Sequence, residues 1–120
     1  MEVIVANKDL SKEELYFLTK AQDTMKMTEA VEQVFDLEAW CIYLDKNADG
    51  KEAELFAMRT TEGETFATNS PTFIRAFREI LDIFEPQEVS RLKIMSGVSK
   101  NNRTFVTCAY QSPEKHSIED

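Results

Sequence analysis

The clearest structural signal in the chain is an apolar stripe at helical spacing that lies between short runs with strand character. Ser70 offers a capping hydroxyl, and Pro71 sits at the first helical position, where a missing backbone donor costs nothing. Phe73, Ile74, Phe77, Ile80, Leu81 and Phe84 then recur with the helical period, and Pro86 ends the pattern. Arg75, Arg78, Glu79 and Asp82 occupy the opposite, wet face. One strongly amphipathic helix among short strands suits a small barrel that the helix can plug at one end.

The flanking strands follow from composition and punctuation. Gly50, Gly63 and Gly97 each lie in a polar cluster and read as breaks between strands. Before Gly50, the aromatic and β-branched run 38–44 predicts a strand that begins near Phe35. Residues 53–60 and 64–68 predict two more, forming a meander of hairpins with the first. After the helix, 89–96 and 103–110 predict a final pair. In the first of these, Leu92 and Ile94 alternate with Arg91, Lys93 and Met95, giving one apolar and one basic face. At the N-terminus, Ser11-Lys12-Glu13-Glu14 fits a capping box, and Met27, Ala30, Val31 and Val34 keep helical spacing, so two small helices are expected before the sheet.

The order strand, strand, strand, helix, strand, strand is that of a mainly β, five-stranded OB-type Greek-key barrel with its helix between strands 3 and 4. With 120 residues the chain amounts to one domain. It is assigned to residues 1–110, with short N-terminal helices in 1–34 and a flexible acidic tail at 111–120.

Several functions are disfavoured by composition. Charges scattered through the first 25 residues leave neither a signal-peptide core nor a spanning helix, so a cytoplasmic location away from membranes is expected. Cys41 and Cys108 sit in apolar, strand-like surroundings and read as reduced, buried thiols. His116 is the only histidine, which leaves no zinc cluster and no catalytic histidine constellation. No phosphate-cradling glycine loop or nucleophile elbow is present, and the carboxylate pairs read as solvated faces, so no enzymatic activity and no cofactor are expected. Asp45-Lys46-Asn47-Ala48-Asp49-Gly50 matches the opening of a calcium loop. Its twelfth position, however, is Phe56 instead of a bidentate Glu, so the segment reads as a polar hairpin turn.

Charge carries the positive signal. The chain has 14 Lys+Arg against 22 Asp+Glu, a net charge of −8, which as an average repels polyanions. The distribution is uneven: Arg91, Lys93, Lys100 and Arg103 bring four cations and no acid to 91–103, while 29–64 holds ten acids and three cations. Arg59 and Arg75 are candidates to extend the basic surface. Single-stranded nucleic-acid binders combine such a surface with aromatics on which bases stack. Phe56, Phe66 and Phe105 read as core. Trp40 and Tyr43 have opposite parity on one strand, so one of them is expected to face outward as a stacking residue.

Residues 64–75, ETFATNSPTFIR, followed by 92–100, LKIMSGVSK, and 103–108, RTFVTC, resemble the small single-stranded DNA-binding proteins of tailed bacteriophages. Lys26-Met27-Thr28-Glu29-Ala30-Val31 and Glu38-Ala39-Trp40 are similar to that family's approach to its first strand. The resemblance implies an OB-type barrel that coats single-stranded DNA during phage replication, without sequence preference and without a cofactor. It points to Ser96, Gly97, Ser99 and Lys100, to Lys93 and Arg103 near the DNA backbone, and to Trp40 or Tyr43 for stacking. Asn101-Asn102 departs from the family's more compact turn. The acidic end Ser117-Ile118-Glu119-Asp120 invites comparison with tails that recruit replication proteins. The alternative from another class is an acidic protein-interaction module, such as a DNA mimic that inhibits a host protein.

Overall fold

The computed structural model describes residues 1–113; His116 and the acidic end lie outside them. The strands are β1 (Glu2–Ala6), β2 (Met25–Lys26), β3 (Val34–Lys46), β4 (Glu52–Thr60), β5 (Thr65–Thr68), β6 (Arg91–Val98) and β7 (Thr104–Tyr110), and the helices are α1 (Lys12–Thr19) and α2 (Pro71–Leu81). They form a mainly β, mixed sheet in the order β2-β5-β4-β3-β6-β7, with β1 also on β3, curled into a half-barrel around α2. The β2–β5 pairing is parallel and the others are antiparallel.

The meander and the α2 signals act as the residues dictate. Gly50 and Gly63 take φ values of +77° and +94° in the two turns, a region open to glycine at no steric cost. The Ser70 hydroxyl accepts from the Phe73 amide at 3.3 Å, capping α2. Phe73, Ile74, Phe77 and Ile80 point from α2 into the main core, where Phe77 meets Trp40 and Phe56 at ring-centroid distances of 4.6 and 4.7 Å.

β3 organises the rest. On one edge it pairs with β4; on the other, Val34–Asp36 pair with β6 and Cys41–Leu44 with β1. Asn7 closes the interval between those two partners: its side chain accepts from the Trp40 amide at 3.0 Å and donates to the Glu38 carbonyl at 3.2 Å. Opposite β4, two steps from Leu37 to Ala39 match one step from Thr60 to Arg59, so Glu38 is the extra residue of a β-bulge. The bulge switches the inward positions from Phe35 and Leu37 to Trp40 and Ile42.

Three expectations are corrected. The closed five-strand barrel does not form among the described residues, because β5 takes β2 as its second neighbour and α2 packs against β7. Of the two N-terminal helices, only α1 is α-helical; Met27–Ala30 is a single 3-10 turn, and 2–6 forms the unforeseen strand β1. Gly97 lies within β6 instead of breaking the chain.

α1 begins at Ser11 with both halves of the capping box in place. It lies over the outer side of β3 and β4, where Leu18 packs with Ala39, Cys41, Tyr43 and Ala57 in a second, smaller core. No helix among the described residues is long and apolar enough to cross a membrane.

Candidate nucleic-acid interface

Antiparallel register sorts the β6–β7 hairpin into two faces. Leu92 and Ile94 of β6, with Val106 and Cys108 of β7, point into the core beneath α2. Arg91, Lys93, Met95 and Gly97 alternate with them on the outer face, beside Phe105, Thr107 and Ala109 of β7 and beside Val34 and Asp36 of β3.

Gly97 sits directly opposite Phe105. A Cβ on Gly97 would stand 2.5, 2.9 and 3.1 Å from three carbons of the Phe105 ring, so the ring lies across the glycine backbone on the outer face. Phe105, read as core from the sequence, is therefore a half-buried surface aromatic. The alternation of β7 carries the missed signal, since Val106 and Cys108 take the inward positions.

The cations divide into two groups. Arg91 and Arg59 flank β3 on its two sides and each faces a carboxylate: Arg91 Nε is 3.6 Å from Asp36 and Arg59 Nε is 3.2 Å from Glu38. Lys93, Lys100 and Arg103 have no ion-pair partner among the described residues. Lys93 stands on β6 opposite Ala109 and Val34, while Lys100 and Arg103 occupy the connecting turn. Ser99 shapes that turn: its hydroxyl accepts from the Arg103 amide at 3.2 Å, its carbonyl accepts from Asn102, and Asn102 adopts φ +60°. Arg75 is exposed on α2, where it lines a hollow with Ala53, Glu54, Asn69 and Arg78.

Neither proposed stacking residue is available. Trp40 has no exposed surface, and its indole donates to the Val89 carbonyl at 2.9 Å. Tyr43 is 3% exposed. Trp40 and Tyr43 face opposite sides of β3, as their spacing predicts, but α2 covers one side and α1 the other, so neither faces outward. From Ala39 to Tyr43 the strand is buried on both faces, which leaves neither aromatic an outward position for stacking.

The remaining sequence candidates are structural. Asp45 pairs with Lys20 at 2.6 Å, and Asn47 Oδ1 accepts from the Asp49 and Lys51 amides, bracing the β3–β4 turn. Cys41 and Cys108 are free and buried, and desolvation pushes both thiols up to about 12. Both are expected to resist a thiol reagent at pH 8 in the folded protein and to react promptly in denaturant; rapid labelling of native protein would contradict their burial. Because the folded state keeps these protons longer than the unfolded chain, stability should fall as pH rises from about 9 toward 12.

Compared with known protein families, with characterised proteins and with solved structures, the chain matches none.

Proposed function

We propose that the protein binds single-stranded DNA without sequence preference, as a coat in phage-type replication or recombination, and that the outer face of β6 and β7 makes the contact. The observation that carries this reading is an aromatic ring laid across Gly97 on a surface where three of the four hairpin cations, Lys93, Lys100 and Arg103, have no acidic partners among the described residues, while Arg91 faces Asp36. Phosphates would lie along the cations and one base would stack on Phe105, a division of labour typical of single-strand binders.

The topology supports an OB-type reading of the sheet. The path β5-β4-β3-β6-β7, with α2 between β5 and β6, follows the strand order of an OB-type barrel that is left open between its last two edges. The β6–β7 turn then corresponds to one of the loops that flank the binding face in such barrels. The acidic end of the chain is proposed to recruit replication partners.

Fluorescence anisotropy with labelled oligo-dT and with a duplex of equal length tests the proposal at two salt concentrations. Expected is binding to oligo-dT that weakens with salt and exceeds binding to duplex. Absence of binding, or equal binding to duplex, would overturn it. Phe105→Ala should lose about 1–3 kcal/mol of affinity with the salt slope unchanged. Gly97→Ala should weaken binding in the same direction, because the new methyl displaces the ring.

A further inference from the structure

We propose that the tip of the β6–β7 hairpin of one copy docks into a cleft beside α1 of a second copy, so that self-association and single-stranded DNA binding compete for the same hairpin. The competition rests on the nucleic-acid reading above; the docking contact does not.

The cleft lies beside two neighbouring aromatics that α1 leaves in solvent, Tyr16 at 56% and Phe17 at 47% exposed, set edge to face at 5.4 Å. Hollows of about 140 and 410 Å³ adjoin them and share Phe17 and Arg59 in their walls. Exposed aromatics beside an arginine are the residue types that dominate protein–protein contacts. Glu13, Glu14 and Glu38 line the smaller hollow and Asp23 the larger. Arg59, the one cation in either wall, already faces Glu38 at 3.2 Å. This rim repels a phosphate backbone and favours an apolar anchor flanked by cations.

The chain carries such a segment. Val98 is 67% exposed at the end of β6, and Lys100 and Arg103 follow it without an ion-pair partner among the described residues. Within one copy the tip does not reach the cleft. Arg59 and Arg91 flank the same stretch of β3, and Val98 stands seven residues along β6 from Arg91, about 23 Å at strand spacing. The contact is therefore between copies. Joining two different patches, it yields a closed ring, of which a reciprocal dimer is the smallest, or an open chain.

Sedimentation velocity on the full chain, across a concentration series at about 0.05 and 0.5 M salt, tests the contact. Wild-type protein should gain mass with concentration at low salt and be monomeric at high salt. The double variant Tyr16→Ala/Phe17→Ala should stay monomeric and bind oligo-dT at least as tightly as the wild type, since it frees the hairpin from the competing contact. Lys100→Glu/Arg103→Glu and Glu13→Lys/Asp23→Lys should each be monomeric alone and associate when mixed. Adding short oligo-dT to the wild type should dissolve the association. A wild type that is monomeric throughout, or association unaffected by the aromatic variant, would overturn the contact. If oligo-dT binds yet leaves association intact, the competition is wrong. If it does not bind while association behaves as described, the contact stands and the DNA reading falls.

Discussion

Alanine at Lys93, Lys100 and Arg103 together is expected to weaken oligo-dT binding by about a hundredfold at 0.1 M salt. On single strands each neutralised phosphate contributes roughly 0.7 to the slope of log affinity against log salt. Removing three contacts should therefore flatten that slope by about 2, which at 0.1 M is about two decades of affinity. These three cations are chosen because the described residues offer them no carboxylate, whereas Arg59 and Arg91 already face Glu38 and Asp36. Their charge faces solvent without a protein partner, so its removal should cost little stability. The measurement is an anisotropy titration at several salt concentrations. A variant with the wild-type slope would place the phosphates elsewhere.

Phe77→Ala should destabilise the fold by about 3–5 kcal/mol, the range for deleting a buried aromatic. Phe77 has no exposed surface and is in ring contact with both Trp40 and Phe56. It joins α2 to the central strands of the half-barrel, and α2 in turn packs on the inner side of β7. Truncation would leave a cavity between β3, β4 and the helix that their neighbours fill only in part. Against a typical total of about 5–15 kcal/mol, such a loss brings the protein near its unfolding threshold. Denaturant titration, followed through the fluorescence of Trp40, should show a lower midpoint at an unchanged slope. A loss below about 1 kcal/mol would mean that α2 is not a structural part of the core.

The parts of this fold that were legible in the sequence are those set by local rules. Ser70, Pro71 and the Phe73–Phe84 stripe specify α2, and the glycine turns at Gly50 and Gly63 specify the meander. What stayed hidden depends on neighbours far along the chain. The Glu38 bulge changes which parity faces inward on β3, and α1 covers the face that would otherwise expose Tyr43, so two aromatics that alternation separates are both enclosed. Residues 2–6 become a strand only because the free edge of β3 beyond β6 accepts them. The basic face of β6 was visible from Arg91 and Lys93, but its aromatic was not. Gly97 looks like a turn residue until Phe105 is placed across it.

A backbone amide NMR titration with short oligo-dT tests the location of the binding surface most directly. Arg91, Lys93, Gly97, Phe105 and the turn from Ser99 to Arg103 should shift together at increasing ligand, while the Trp40 indole, hydrogen-bonded to Val89 in the interior, should not move. Shifts that cluster on α1 or α2, or an unchanged spectrum at saturating oligonucleotide, would contradict the assignment of the outer β6–β7 face as the binding surface.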